Sequence, residues 1–518
     1  VGSRTSSAFR PEHPSPRSLA RLVQDFGIEH HGSVDDVDIT GVSVSTRDLH
    51  PGDLFVGVPG AAKHGAAFAE QAREAGAVAI VTDSAGVELA AGAGLPILVL
   101  DDPRRALGDL AAWVYRTQEE APLLFGPTGT NGKTSTAHLL DAVLRQLGMV
   151  TGLSSTAERR IGELSNASTL TTPEASELHA LLARMRENGV RAVVIEVSAH
   201  ALSHSRIGGI VFDVVAFTNL SRDHLDFYRD MEEYFRAKLP LFDPDRARRG
   251  VVNLDTEWGQ RVVDESRIPV STIATVGHGA EAVDADWTVE ILDENLAYTE
   301  FRLRARDGRE LVTREPLIGW HMASNAGLAI VMLVEAGFEL EAIGQALAAD
   351  GGILADLPGR LERVSGDRGP TVFVDYGHSP EAFRTSLEAL RRVTPGKVIM
   401  VFGADGDRDA GKRPEMGSIA SEGSDILIVT DYNPRTEQPG PIRATLLAGA
   451  AEAEHPAELL EVGDPGSAIR AAIARAGDGD SILWAGPGHE NEIEVGGERI
   501  EYSARDDARA ALREAGWA

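Results

Sequence analysis

The chemistry of this chain starts at GPTGTNGKTS, residues 126–135. Glycines at 129 and 132 let a loop backbone approach a phosphate closely, and the N–H groups that open the following helix attract anion. Lys133 adds a point charge, and the Thr134 hydroxyl is placed to hold Mg²⁺. The strict nucleotide-loop spacing would put a glycine at Pro127, so the generic pattern is not met. A second hard-oxygen donor is Glu196, at the end of the apolar run AVVIE, where open α/β sheets place their ligands. Arg206 carries a guanidinium fork, a shape suited to phosphate or carboxylate. The glycine loop with Lys133 and Thr134 points to a phosphate ligand held together with a hard divalent ion.

The elements that must carry these groups are legible from the hydrophobic pattern. LLFG precedes the loop and AHLLDAVLRQLG follows it with helical spacing. AVVIEV (192–197), VVAFTNL (214–220) and VVNL (251–254) are separated by helix-like stretches, the βαβ arrangement of a mostly parallel sheet. Alternating charged sequence between 281 and 317 predicts an inserted antiparallel hairpin. Before this region, AVAIVT (77–82) and PILVL (96–100) alternate with Ala-rich helical stretches in a smaller α/β domain. Beyond Gly351 and Gly352, the runs TVFVDY, VIMVFG, DILIVTD and SILWAG predict a doubly wound, Rossmann-like α/β domain. The fold class is therefore α/β in three domains, with a P-loop-type central sheet. Expected boundaries are a frayed tail at 1–16 and domains at 17–120, 121–354 and 355–518.

Composition limits the chemistry further. The 518 residues suit about three domains, and 79 Asp plus Glu against 50 Lys plus Arg give a net charge of −29. Non-specific attraction to nucleic acid or anionic lipid is thereby disfavoured. With no Cys, thiolate metal sites, disulfides and Cys nucleophiles are excluded. No run of 18 apolar residues exists and the first twenty residues lack a signal-type apolar core, so a cytoplasmic location is expected.

The loop resembles the T-G-T-N-G-K-T pattern of the Mur ligase family, ATP-dependent amide-forming enzymes of peptidoglycan assembly and folate polyglutamylation. The resemblance continues in order through STRDLHPGDLFVGVPG (45–60), TLTTPEA (169–175), EVSAHALSHSRIGG (196–209) and FTNLSRDHLDFYRDMEEYFRAKLPLF (217–242). It goes on through LPGRLERV (357–364), VDYGHSPEA (374–382), VFGADGDRDAGKRPEMG (401–417), TDYNPRTEQP (430–439) and AGPGHE (485–490). The blocks are most similar to the branch that extends UDP-MurNAc-L-Ala-D-Glu with a diamino acid.

That resemblance implies residue roles. ATP would be bound by Gly129, Thr130, Asn131, Gly132, Lys133, Thr134 and Ser135, with Asn325, Arg360, Asp375 and His378 approaching the nucleotide. In the adenine block, Trp320, His321 and Met322 stand where an aromatic and Asn are common, which leaves the adenine contact unassigned. The catalytic set would be Lys133, Glu196, His224 and Lys238, with Thr134, Glu196, His224 and Lys238 serving a pair of Mg²⁺ ions. On composition alone, Lys238 in YFRAKLPLF reads as a surface lysine resting its stem on apolar neighbours. The family implies instead that CO₂ converts it to a carbamate. The UDP-substrate would meet Ser45, Thr46, Arg47, Thr171, Thr172, Ser198, His204 and Arg206, with Ala199 where a second Ser is common.

The amine would be read by Arg408, Tyr432, Asn433, Pro434, Arg435, Gly486 and Glu490. Retention of Asn433-Pro434-Arg435 favours meso-diaminopimelate, because an Arg fork can take a distal carboxylate in bidentate fashion. Tyr432 in place of Asp, and Pro487 in place of Lys, depart from that pattern and keep lysine, ornithine and diaminobutyrate open. A folylpolyglutamate synthetase-like ligase would lack the blocks at 45–60 and NPRTE, and a P-loop ATPase would explain only Lys133 and Thr134. A monomer is expected, without nucleic-acid or membrane partners.

Overall fold

The computed structural model describes residues 9–60, 63–119, 121–168, 170–278 and 284–517. Part of the expected frayed tail, residues 1–8, lies outside the described residues, as do Thr169 and positions 281–283 of the expected hairpin. From Phe9 onward the chain is held: Phe9 is buried, and both Arg10 Nη atoms donate to the Asp53 carboxylate at 3.1 and 2.7 Å. A buried aromatic and a paired guanidinium thus tie down residues 9 and 10.

The chain forms two compact units. The first runs from the N-terminus through Gly126, with Gly148–Val215 and Pro240–Arg249; the second comprises Pro127–Leu147, Ala216–Leu239 and Gly250 to the C-terminus.

The first unit contains a five-stranded sheet in the order Glu29–His31, Ile97–Val99, Ala79–Thr82, Asp53–Val56, Gly41–Ser43. It is parallel except for the edge strand Glu29–His31, which runs against Ile97–Val99. The flanking helix Pro103–Tyr115 starts where its chemistry dictates: Asp102 accepts from Arg105 N at 2.9 Å and Pro103 occupies the first turn, where no N–H is missed. In the same unit Ala192–Ile195 pairs in parallel with Leu123–Thr128 and with Thr151–Ser154. A hairpin, Glu158–Ile161 and Leu164–Ala167, continues from Thr151–Ser154 in antiparallel register.

In the second unit the helix Lys133–Gln146 follows the phosphate-type loop directly. Val270–Thr275 runs parallel to Trp287–Glu294, after which Thr299–Ala305 and Glu310–Glu315 add antiparallel strands. The expected hairpin is thus a three-stranded meander, the additional strand following the Asp307-Gly308 turn. The C-terminal sheet has the order Glu362–Arg363, Thr371–Asp375, Ser481–Ala485, Val398–Phe402, Ile426–Val429, Glu458–Glu461, all parallel but the first. Val372, Val374, Ile399, Val401 and Trp484 on one face pack with Ile469, Ala472, Ala508 and Leu512 of the helices Pro465–Ile473 and Ala504–Glu514. Pro380–Val393, Arg413–Gly423 and Pro439–Ala451 also lie against the sheet strands, so the domain is doubly wound. Among the described residues no helix is long and apolar enough to cross a membrane.

Candidate active site

The loop 127–134 is shaped by close packing against the segment that follows the strand Phe212–Phe217. Gly129 has φ +148, and a Cβ there would stand 1.9 Å from Thr218 Oγ1, so only glycine fits. Thr130 N donates to Asn219 O at 2.9 Å, Asn131 N to Asn219 Oδ1 at 3.0 Å, and Thr218 Oγ1 to Asn131 O at 2.6 Å. Lys133 Nζ donates to Thr130 O at 2.7 Å, so the ammonium lies over its own loop. Ser135 and Asn325 are buried, and Thr136 Oγ1 donates to Asn325 Oδ1 at 3.4 Å. Asn325 supports the loop helix from the side where Gly132 turns, since a Cβ on Gly132 would meet its Oδ1 at 2.5 Å. Trp320 is stacked on His278, ring centroids 4.5 Å apart.

Three residues of the C-terminal part converge on this loop and on the turn after it. Arg360 Nη2 donates to Thr134 Oγ1 at 3.1 Å and its guanidinium lies over the Tyr376 ring at 4.2 Å. Asp223 is the focus of the others: His378 Nε2 is 3.7 Å and His224 Nε2 3.6 Å from its Oδ2, and Lys412 Nζ is 3.4 Å from Oδ1. Burial alone would raise the Asp223 carboxyl, but the electrostatic pull of the neighbouring His378, Lys412 and His224 and the His224 N–H outweigh it and hold the group well below the usual carboxylate range. Asp223 and Lys412 were not singled out in the sequence, although both sit inside the matching blocks; a charged residue that is buried can be found only in the fold. Asp375 accepts from Leu361 N and Gly377 N at 3.1 Å and from Ser386 Oγ at 3.3 Å, which makes it a strut between these three segments.

Lys238 is 2% exposed, against the surface position that composition suggested. Its Nζ donates to Gly129 O at 2.8 Å and lies 4.6 Å from the centre of the Tyr234 ring. The helix Met231–Lys238 ends here, so its last residue is directed at the phosphate-type loop rather than at solvent. His224 takes a left-handed conformation, φ 55, with its ring edge-on to Tyr234.

The first unit holds the remaining polar residues. Glu196 is buried, and its Oε2 accepts from Thr156 N at 2.8 Å and Thr156 Oγ1 at 3.0 Å. Thr171 Oγ1 is 3.0 Å from Thr156 Oγ1, and Thr172 Oγ1 donates to Glu196 O at 2.7 Å. Ser198 caps the helix Ala199–Ser203 by accepting from Ala201 N at 3.1 Å. Arg206 Nε donates to Glu174 Oε1 at 3.0 Å, and Arg104 meets the other oxygen of that carboxylate at 3.1 Å. Burial first, then the charges of Arg206 and Arg104, lower the His204 imidazole below its usual range. Ser45 and Thr46 are partly exposed and Arg47 is exposed; Ser45 Oγ accepts from Arg47 N at 3.3 Å and shapes this turn.

In the C-terminal sheet, the residues expected to read an amine follow the carboxyl ends of neighbouring strands, where such sheets bind ligands. Tyr432 and Asn433 come after Ile426–Val429, and Gly486 and Glu490 after Ser481–Ala485. The buried Tyr432 hydroxyl donates to Glu490 Oε2, and Asn433 Nδ2 donates to the same atom at 3.3 Å. Burial, then the Glu490 and Asp405 charges, push the Tyr432 phenol far up, while burial also raises the Glu490 carboxyl. Pro434 leads into Arg435, which is held at φ 53 by Arg435 N donating to Glu494 O at 3.0 Å and Gly496 N donating to Arg435 O at 2.7 Å. Strain of this kind persists where the surroundings over-determine it. Arg408 is half exposed, 3.6 Å from Asp226.

The donor set suits Mg²⁺, which takes hard oxygens from few side chains and completes its shell with water and phosphate. Within the second unit Thr134 offers a hydroxyl, and within the first Glu196 offers a carboxylate. Among the described residues no three His, Asp or Glu side chains form a ready cage for a metal.

Comparison with known proteins gives a consistent assignment. The family models described as Mur ligase family, catalytic domain; Mur ligase middle domain; and Mur ligase, glutamate ligase domain match residues 38–115, 128–333 and 359–488. The chain is 62% identical to a UDP-N-acetylmuramyl-tripeptide synthetase of Leifsonia xyli subsp. xyli, over 99% of both chains. It is 43% identical to a UDP-N-acetylmuramoyl-L-alanyl-D-glutamate–2,6-diaminopimelate ligase of Streptomyces avermitilis, over 98% of this chain and 97% of that one. A solved structure of a diaminopimelate ligase of this type aligns with TM-score 0.66 and 28% identity, covering 97% of this chain and all of that one. The MurF ligase of Thermotoga maritima in complex with ADP shares the fold at TM-score 0.62 and 19% identity, over 92% of this chain and 97% of that one.

Proposed function

The chain belongs to the Mur ligase family, and on that premise we propose that it extends UDP-MurNAc-L-Ala-D-Glu with a diamino acid, meso-diaminopimelate first. It is an ATP-dependent ligase of peptidoglycan precursor synthesis. The observation that carries the choice of amine is the strained Asn433-Pro434-Arg435 turn, whose guanidinium stands 3.5 Å from Asp405 and 4.0 Å from Glu494.

In this reading the γ-phosphate of ATP passes to the free side-chain carboxylate of D-glutamate. The amine of the incoming residue then attacks the acyl phosphate, an amide forms, and ADP and phosphate leave. Lys133 and the N–H groups that open the helix Lys133–Gln146 would hold the β- and γ-phosphates, and Arg360, already at Thr134, would add a second cation on the nucleotide side. Thr134, Glu196, His224 and a carbamate on Lys238 would hold Mg²⁺, which when bound neutralises the charge that gathers on the transferred phosphoryl. Carbamylation would replace the buried Lys238 cation by an anion next to the loop. Ser45, Thr46, Arg47, Thr171, Thr172, Ser198, His204 and Arg206 would bind the UDP-substrate, with Arg206 pre-oriented by Glu174. Arg435 would take the distal carboxylate of the amine, and Glu490 its ammonium-bearing end.

Phosphate release tests this directly. With ATP and UDP-MurNAc-L-Ala-D-Glu, meso-diaminopimelate is expected to drive turnover more efficiently than lysine. Turnover of lysine with none of diaminopimelate would overturn the choice of amine.

A further inference from the structure

The amine pocket contains a charged group to which the assignments above give no task. Asp405 follows the strand Val398–Phe402, and its Oδ1 lies 3.5 Å from Arg435 Nη2. Glu494 Oε2 stands 4.0 Å from Nη1 of the same guanidinium, and Arg435 Nε is buried without a hydrogen-bond partner. Glu490 is held on the neighbouring turn by Tyr432 and Asn433. Two carboxyl groups, Asp405 and Glu494, therefore flank one guanidinium. Of the two nearby arginines, Arg413 is engaged in a double hydrogen bond with Glu437, and Arg408 faces Asp226.

The side chains of Asp405 and Arg435 are about one-fifth and one-quarter exposed, so a ligand can reach both. A carboxylate arriving at Arg435 meets Asp405 at the Nη2 edge that it would use, and like charges at that spacing repel. An ammonium arriving at the same place gains a hydrogen-bond acceptor instead. Specificity of this kind is set by the repulsive partner as much as by the attractive one. The backbone cannot relieve the conflict, since Arg435 is fixed by its hydrogen bonds to Glu494 and Gly496.

We propose that Asp405 is a specificity-determining residue for the amine: its carboxylate competes with a distal substrate carboxylate for Arg435 and accepts from an ammonium there. Asp405 thereby moves selectivity away from dicarboxylic diamino acids and toward those with a single carboxylate. The proposal rests on the amine-pocket reading above and deepens it.

The test compares kcat/KM for meso-diaminopimelate and for lysine in the wild type, Asp405→Asn and Asp405→Ser, by phosphate release with saturating ATP and UDP-MurNAc-L-Ala-D-Glu. The ratio of the two values is independent of the fraction of folded enzyme, so partial misfolding of a variant does not obscure it. Removing the charge is expected to raise the diaminopimelate-to-lysine ratio about tenfold, chiefly through KM. A shift of less than about threefold in both variants, or a shift toward lysine, overturns the proposal. Wild-type enzyme that releases phosphate with neither amine overturns the amine-pocket reading itself, and the proposal with it.

Discussion

Lys238 shows how far a side chain's meaning depends on its surroundings. In sequence it is a cation on a mixed stretch; in the fold it is 2% exposed, 2.8 Å from the Gly129 carbonyl oxygen. Lys238→Ala is expected to reduce turnover by a factor of about 100 or more, with partial recovery by added short-chain carboxylic acids that replace the carbamate. Full activity of the unsupplemented variant would contradict that role. His179 is a second buried group with a measurable consequence: Nε2 donates to Gly208 O at 2.8 Å and Nδ1 accepts from Thr117 Oγ1 at 2.7 Å, which fixes the neutral ring. Burial pushes its pKa down from 6.5 to about 4. The unfolded chain therefore binds more protons between those values, so this stabilisation is complete above pH 6.5 and is lost as pH falls toward about 4. The loss amounts to about 3 kcal/mol across that window. Urea titrations from pH 7 to 4 are expected to show this component in the wild type and not in His179→Gln. Neither Lys238 nor His179 reveals its burial in the sequence, because both lie in helices whose apolar spacing leaves more than one rotation about the axis open.

At the scale of elements, apolar runs were the readable signals, and the caps came with the fold. Asp102 before Pro103 marks a helix start, and Asp102→Ala is expected to lower stability by about 1 kcal/mol in thermal or urea unfolding through loss of the bond to Arg105 N. The buried strands Ala192–Ile195, Thr371–Asp375, Val398–Phe402 and Ser481–Ala485 stand out because both faces are covered and their residues are almost all apolar. The edge strand Glu458–Glu461 escaped notice, as a short apolar pair flanked by acids carries no such run. The charged meander yielded two of its strands to the alternating pattern, while its third depended on pairing with Thr299–Ala305. The phosphate-type loop was the most legible element of all, since glycine, lysine and threonine must stand in fixed order for a backbone to wrap an anion.

For the whole molecule, a net charge of −29 means that anionic nucleotide and UDP-substrate approach a like-charged surface. Raising ionic strength from about 0.01 to 0.15 M shortens the Debye length from about 30 to 8 Å, so the KM for ATP is expected to fall over that range in steady-state assays. A steady rise would mean that the local cations Lys133, Arg360 and Lys412 dominate the encounter. The sequence by itself determined the α/β class, the ordered family blocks, the phosphate-type loop and the acidic balance. These are properties of residue order and composition, and they survive without coordinates. Only the tertiary structure decided that Asp223 gathers His224, His378 and Lys412, that Asp375 braces the turn at Leu361, and that Asp405 stands against Arg435. The pairings of Asp223 with His378 and Lys412 and of Asp405 with Arg435 join residues far apart in the chain, and they are fixed by strand order and by the loops at strand ends, which local sequence does not encode.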